Sequence, residues 1–205
     1  MGLTIIPPDL RESSRRPVNS LATKVPTFIT LLRGINVGKA KRVPMAELRA
    51  LLAGLGYGDV QTLLNSGNAV FTHANANTAA HAEAIAQALR THFGFDIPVI
   101  VKSATDIAAI AAQNPLAAPG VDPSRLLVIL ALAASPPQAV HALAACVQAP
   151  DPFAVGKHAA YLHCPGGILS SPAAERALRG LGEVITTRNW ATTLKLLALA
   201  VPGGT

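Results

Sequence analysis

Thr27-Phe28-Ile29-Thr30-Leu31-Leu32-Arg33-Gly34-Ile35-Asn36-Val37-Gly38 joins an apolar and β-branched run to a polar loop with two glycines. The first six residues have strand length and no strict alternation, which predicts a central strand covered on both faces. A helix follows from Pro44, where a missing N–H costs nothing in the first turn. Met45, Leu48, Leu51, Leu52 and Leu55 share its inner face, and Gly54, Gly56 and Gly58 end it.

Working outward, Val60 to Leu64 reads as a second strand and Ala69 to Thr72 as a third. Asn65-Ser66-Gly67-Asn68 supplies the turn chemistry between them, making a hairpin. Thr78 to Phe93 is a predicted helix and Ile97 to Lys102 a fourth strand. The order β-α-β-β-α-β is the ferredoxin-like pattern.

The same order recurs after an extra helix. Ser103 and Asp106 form a capping box for that helix. A strand at Leu126–Leu132 precedes a helix opened by Ser135-Pro136-Pro137-Gln138, with Ser135 as the expected N-cap. Phe153–Val155 and Ala160–His163 form a hairpin, Ser171-Pro172 opens a helix ended by Gly180, and Glu183–Thr187 is a short strand. A last helix spans about Asn189 to Ala200, stopped by Pro202-Gly203-Gly204. The predicted fold class is α+β: two ferredoxin-like halves with an extra C-terminal helix. The expected divisions are a flexible extension at 1–24, a first half at 25–102, and a second half at 103–205 that includes the connecting and C-terminal helices.

At 205 residues, half of them apolar and 14% charged, the chain is long enough for a sizeable core and is not disordered. Cys146 and Cys164 are too few for a disulfide framework, so free buried thiols in a reducing compartment are expected. No apolar run approaches the roughly 18 residues of a membrane span, and the expected location is cytoplasmic. The six histidines show no metal spacing, and no cofactor-binding motif is present. Gly34 to Lys39 has three residues between its glycines and Ala40 after the lysine, so it is not a phosphate-binding P-loop.

The net charge of +6 is uneven: residues 1–24 carry +2, residues 25–49 carry +4, and the remainder is neutral. The excess in the folded chain therefore sits on Arg33, Lys39, Lys41, Arg42 and Arg49, opposed by Glu47. A localised basic patch points to an anionic partner. Right-handed crossover makes the first two strands parallel, so their carboxyl ends share one sheet edge. Arg33, Asn36 and Lys41 should meet Ser66 and Asn68 there, beside the amino end of the Pro44 helix. Asn189 is the natural N-cap of the last helix, with Trp190, Leu194 and Leu197 on one face and Lys195 toward solvent.

Leu31–Gly38, Val43-Pro44-Met45, Ser66-Gly67-Asn68, Phe93–Val99 and Thr186-Thr187-Arg188-Asn189-Trp190 resemble the motifs of an uncharacterised bacterial family. That family is a domain of unknown function whose members open with a leucine-rich strand and R-G-I-N-V-G. The resemblance runs from about Pro26 to Ala200 and implies two ferredoxin-like halves, with no assigned activity. The chain departs from the family at Lys39, Leu63, Asn65 and Ala191.

Three functions are compatible with these residues. The first is a binding protein whose basic edge takes a phosphorylated small molecule or nucleic acid. Its ligand residues would be Arg33, Asn36, Lys41, Ser66, Asn68, Arg188, Asn189, Trp190 and Lys195. The second is an enzyme acting on a phosphorylated or carboxylated metabolite, with Arg33, Lys41 and Arg188 as an electrophilic clamp. The third is a structural or interaction protein whose polar motifs fix the junction of the halves. Where Arg188 lies relative to Arg33 and Ser66 discriminates among them.

Overall fold

The computed structural model describes residues 25–38, 40–181 and 185–201. The extension at 1–24, Lys39, the start of the strand expected from Glu183, and the expected helix stop at Pro202-Gly203-Gly204 lie outside the described residues.

The described residues are mixed α+β, with two four-stranded antiparallel sheets and six α-helices among them. The first sheet contains β1 (Thr27–Leu32), β2 (Gly58–Leu63), β3 (Asn68–Thr72) and β4 (Val99–Ser103), in the spatial order β2-β3-β1-β4. Between its strands run α1 (Met45–Gly54) and α2 (Thr78–Phe93). The helix α3 (Ala104–Ala112) leads to the second sheet. That sheet contains β5 (Leu126–Ala131), β6 (Phe153–Val155), β7 (Ala160–His163) and β8 (Ile185–Asn189), in the equivalent order β6-β7-β5-β8. Its helices are α4 (Gln138–His141), extended by a 3-10 turn at Ala142–Cys146, and α5 (Pro172–Arg179); α6 (Trp190–Ala200) closes the chain.

The expectation for Thr27–Leu32 holds: β1 is interior to its sheet and buried on both faces. Phe28 and Leu32 face Leu48 and Leu52 of α1 and Ile85 and Leu89 of α2. Ile29 and Leu31 point the other way, onto Ile107 and Ile110 of α3, Leu196 and Ala200 of α6, and Val128 and Leu130 of β5. Ile129 and Ala131, on the opposite face of β5, meet Val140, Leu143 and Ala177. Period-two alternation in two central strands therefore builds five layers, with α3 and α6 sandwiched between the sheets.

Local capping explains most helix starts. Ser103 and Asp106 make the expected capping box on α3, Ser171 caps α5, and Asn189 caps α6. Three expectations are corrected. Ser135 caps nothing: α4 begins at Gln138 behind Pro137, without a side-chain cap, and tightens after one turn. Gly58 opens β2 instead of ending α1. Leu194 is exposed, because α6 buries Thr192, Thr193, Leu196 and Ala200. Both cysteines are free, but only Cys164 is buried; Cys146 is half-buried.

Tyr161 couples this core to pH. It is 1% exposed, and its hydroxyl donates to the Ile110 carbonyl at 2.8 Å, tying β7 to α3. Burial pushes its phenol from 10.0 up to about 12. The unfolded chain therefore releases this proton first as pH rises. The contribution is complete below pH 10 and is lost as pH climbs toward about 12. Urea unfolding at pH 9 and pH 11.5 should show wild type losing about 2 kcal/mol more than Tyr161→Phe across that interval. Equal losses in the two proteins would remove the coupling.

Candidate functional site

The loop after β1 is held from within. The Asn36 N–H donates to the Lys41 carbonyl at 3.1 Å, closing the turn that spans Val37 and Gly38. The Asn36 side chain accepts from the Val43 N–H at 2.9 Å and donates to the Val43 and Asn65 carbonyls at 2.9 and 2.7 Å. Asn36 itself is left-handed, with φ 56°, a conformation its short amide tolerates. One side chain thus ties the loop to the β2–β3 turn, as strand handedness predicts.

A second tie sits directly below. The Leu32 N–H donates to the Gly67 carbonyl at 2.7 Å, and Gly67 has φ 78°. A Cβ at Gly67 would come within 2.7 Å of Leu32 and Ile35, so glycine is required by both conformation and space. Asn68 is fully buried and donates to the Leu63 carbonyl and the Ser66 hydroxyl at 2.8 and 3.0 Å.

Arg188 joins this edge from the other sheet. It is 8% exposed and spends all five of its N–H donors on protein. Nε donates to Asn68 Oδ1, and Nη1 donates to the Thr186 hydroxyl and the Thr187 carbonyl, each at 2.8 Å. Nη2 donates to the Leu32 carbonyl at 2.7 Å and the Ser66 carbonyl at 3.2 Å, with Gly67 a longer third acceptor. Every partner is neutral, and among the described residues no carboxylate pairs with it. Burial pushes its guanidinium down to about 10.

Beside Arg188 lies a cleft of about 520 Å³. Its described walls come from the end of β1 and its loop (Leu32, Arg33, Gly34, Ile35, Val37), Ser66, α5 (Ala177, Leu178) and β8 (Thr186, Thr187, Arg188). They carry two arginines and no carboxylate. Val37 and Leu178 form an apolar rim, 74% and 45% exposed. Arg33 is half-buried and donates to the Arg179 carbonyl at the end of α5. Its guanidinium lies over Gly180, φ 92°, where a Cβ would overlap it.

The structure therefore brings Arg33, Ser66 and Arg188 together around solvent-open space, with Asn36 and Asn68 beneath as struts. The other expected residues lie elsewhere. Lys41 reaches away to the Asp96 carbonyl at 2.9 Å. Arg49 bonds the Thr62 hydroxyl. Asn189 caps α6 through the Thr192 N–H at 2.9 Å. Trp190 packs half-buried into the core between the sheets, and Lys195 is exposed on α6. The amino end of α1 is not among the cleft walls. The local +4 charge is thus spread around the loop, and Arg33 is its one described member that faces the cleft.

Among the described residues, no helix is long and apolar enough to cross a membrane, and no group of three or more His, Cys, Asp or Glu could hold a metal ion. Sequence reading overlooked Ala177 and Leu178 as cleft walls, since nothing in α5 signals that it faces the first loop.

Comparison with known proteins agrees with this architecture. A conserved bacterial protein from Streptococcus pneumoniae, SP0830, superposes with a TM-score of 0.72 at 25% identity, over 86% of this chain and 99% of that one. No curated protein matches the chain. The family described as "Protein of unknown function (DUF1697)" matches residues 25–161, two thirds of the sequence and all of the loop and turn that build the cleft. The chain belongs to that family.

Proposed function

We propose that the protein binds an anionic, partly apolar small molecule in the cleft between the β1 loop and α5, with Arg33 as the contacting cation. The carrying observation is the composition of the described walls: two arginines, no carboxylate and an apolar rim. Arg188 has no donor to spare, so it acts through its buried charge, which is worth more in a low-dielectric wall than in water. Arg33 uses part of its five-donor fork on one carbonyl, which leaves the rest for a carboxylate or phosphate. Ser66 is exposed at the same rim and adds a hydroxyl. Behind this reading stand two ferredoxin-like halves, residues 25–102 and 103–205; the matching orders β2-β3-β1-β4 and β6-β7-β5-β8 support it.

Nucleic acid is the poorer occupant. Sheets that stack bases do so on an open face carrying aromatic rings. Here Phe28 and Phe71 stack 5.5 Å apart inside the core, and both faces of the central strands are covered. One observation favours a structural reading: every Arg188 donor, and every contact of Asn36, is internal.

A thermal-shift screen of phosphorylated and carboxylated metabolites, repeated with Arg33→Ala, separates these readings. A ligand of the cleft should raise Tm in wild type and bind about 10-fold more weakly to Arg33→Ala, as loss of a charge-assisted hydrogen bond implies. Hits indifferent to Arg33, or no hits, would leave the internal ties of the motifs as their whole purpose.

A further inference from the structure

Lys102 occupies an interior position. Its β4 neighbour on the same face, Ile100, and its cross-strand partner on β1, Ile29, both belong to the core between the sheets. Lys102 is 5% exposed and lines a small pocket. There Nζ donates to the Ala133 carbonyl at 2.7 Å, the one hydrogen bond it makes among the described residues. No carboxylate pairs with it among those residues. Asp106, on the first turn of α3, is close enough to favour the charged form but is engaged with the Ser103 N–H at 3.1 Å.

The pocket holds about 140 Å³ and is lined by Thr78, Lys102, Asp106, Ile110, Leu132, Ala134 and His158. At about 30 Å³ per water, that is room for a molecule of four or five heavy atoms. Leu132 and Ala134 at its rim are exposed, so the space communicates with solvent. His158 Nδ1 lies 3.4 Å from the Ala134 carbonyl, which can only accept; Nε2 of the neutral ring is then the free acceptor. The site draws on both halves: β4 and α3 supply the amine and the carboxylate, and the segments after β5 and β6 supply the carbonyl and the imidazole.

We propose that Lys102 is a nucleophilic amine that takes a small neutral aldehyde or ketone from this pocket as a Schiff base. The neutral amine attacks with its nitrogen lone pair, and the carbonyl π pair moves to oxygen. Both amine protons pass to that oxygen, which leaves as water, and His158 Nε2 is available to relay one of them. The sum is amine plus carbonyl giving imine plus water, with no change of oxidation state. Burial lowers the Lys102 ammonium below its ordinary value, with the Asp106 charge opposing, so a larger share of neutral amine is present than at an exposed lysine. Asp106 in the wall also disfavours an anionic substrate, which selects neutral carbonyl compounds over oxo acids. The pocket is separate from the arginine cleft.

The full chain is incubated at pH 7.5 with limiting propanal and sodium cyanoborohydride, which donates hydride to the imine and fixes it as a secondary amine. Peptide mass spectrometry then gives the rate at each lysine. Lys102 should be alkylated at least about 10-fold faster than exposed Lys41, Lys157 and Lys195, and this preference should vanish in 8 M urea. Alkylation of Lys102 more slowly than, or level with, the exposed lysines would overturn the proposal, because a lysine that serves only as a strut to Ala133 is shielded. A preference that survived in urea would overturn it too, since it would owe nothing to the pocket.

Discussion

Arg188→Ala should destabilise the protein by about 2–4 kcal/mol, seen as a fall in the urea midpoint with an unchanged m-value. Three of the acceptors it satisfies are buried: Asn68 Oδ1, the Leu32 carbonyl and the Thr186 hydroxyl. Each buried polar group left unpaired costs about 1–3 kcal/mol. The Thr187 and Ser66 acceptors are only part-buried at the cleft, where water can replace the guanidinium, so they add little. One term runs the other way. Arg188 is a buried charge without a counter-ion, as its lowered pKa shows, and removing it relieves that penalty. The loss is therefore smaller than the number of hydrogen bonds suggests. Arg188→Lys, with three donors and no planar fork, should recover only part of it. A loss below about 0.5 kcal/mol for Arg188→Ala would mean that the network does not hold the two sheets together.

Most of this scaffold was legible because its causes are local. The unbroken runs in β1 and β5 announce strands buried on both faces. Ser103 with Asp106, Ser171 and Asn189 announce helix starts through hydrogen bonds spanning three residues. Even the meeting of Arg33 with Ser66 follows from crossover handedness. What failed depends on distant partners. Lys41 carries charge that should join the patch, yet a carbonyl 55 residues away draws it off. Trp190 and Leu194 suggest one inner face for α6, but a helix between two sheets is buried on more than one side, which blurs its periodicity. Lys102 reads as the polar end of a strand. Only the return of the chain at Leu132, Ala134 and His158 turns that end into a pocket.

Asn36→Asp should cost about 2–3 kcal/mol at pH 7 although the side chains are nearly identical in shape. The oxygen facing the Val43 N–H is kept, and that bond survives. The amide, however, donates to two carbonyls, Val43 and Asn65, and a carboxylate would set a second oxygen against both. Two bonds worth roughly 1 kcal/mol each become repulsions in a half-buried site. Acid should partly reverse the loss. The surrounding carbonyls and burial raise the introduced carboxyl's pKa above its unfolded value of about 4, so the folded variant holds its proton to higher pH. Its deficit against wild type is thus smallest below pH 4 and grows as pH rises through the raised value. Asn36→Ala loses the same donors without adding charge, so its deficit should not change with pH. Urea unfolding of the three proteins at pH 4 and pH 7 separates these outcomes. A pH-independent deficit in Asn36→Asp would show that the loop opens and hydrates the new carboxylate. Arg33 would then stand on a mobile support, and the cleft would lose the fixed wall that an anion site requires.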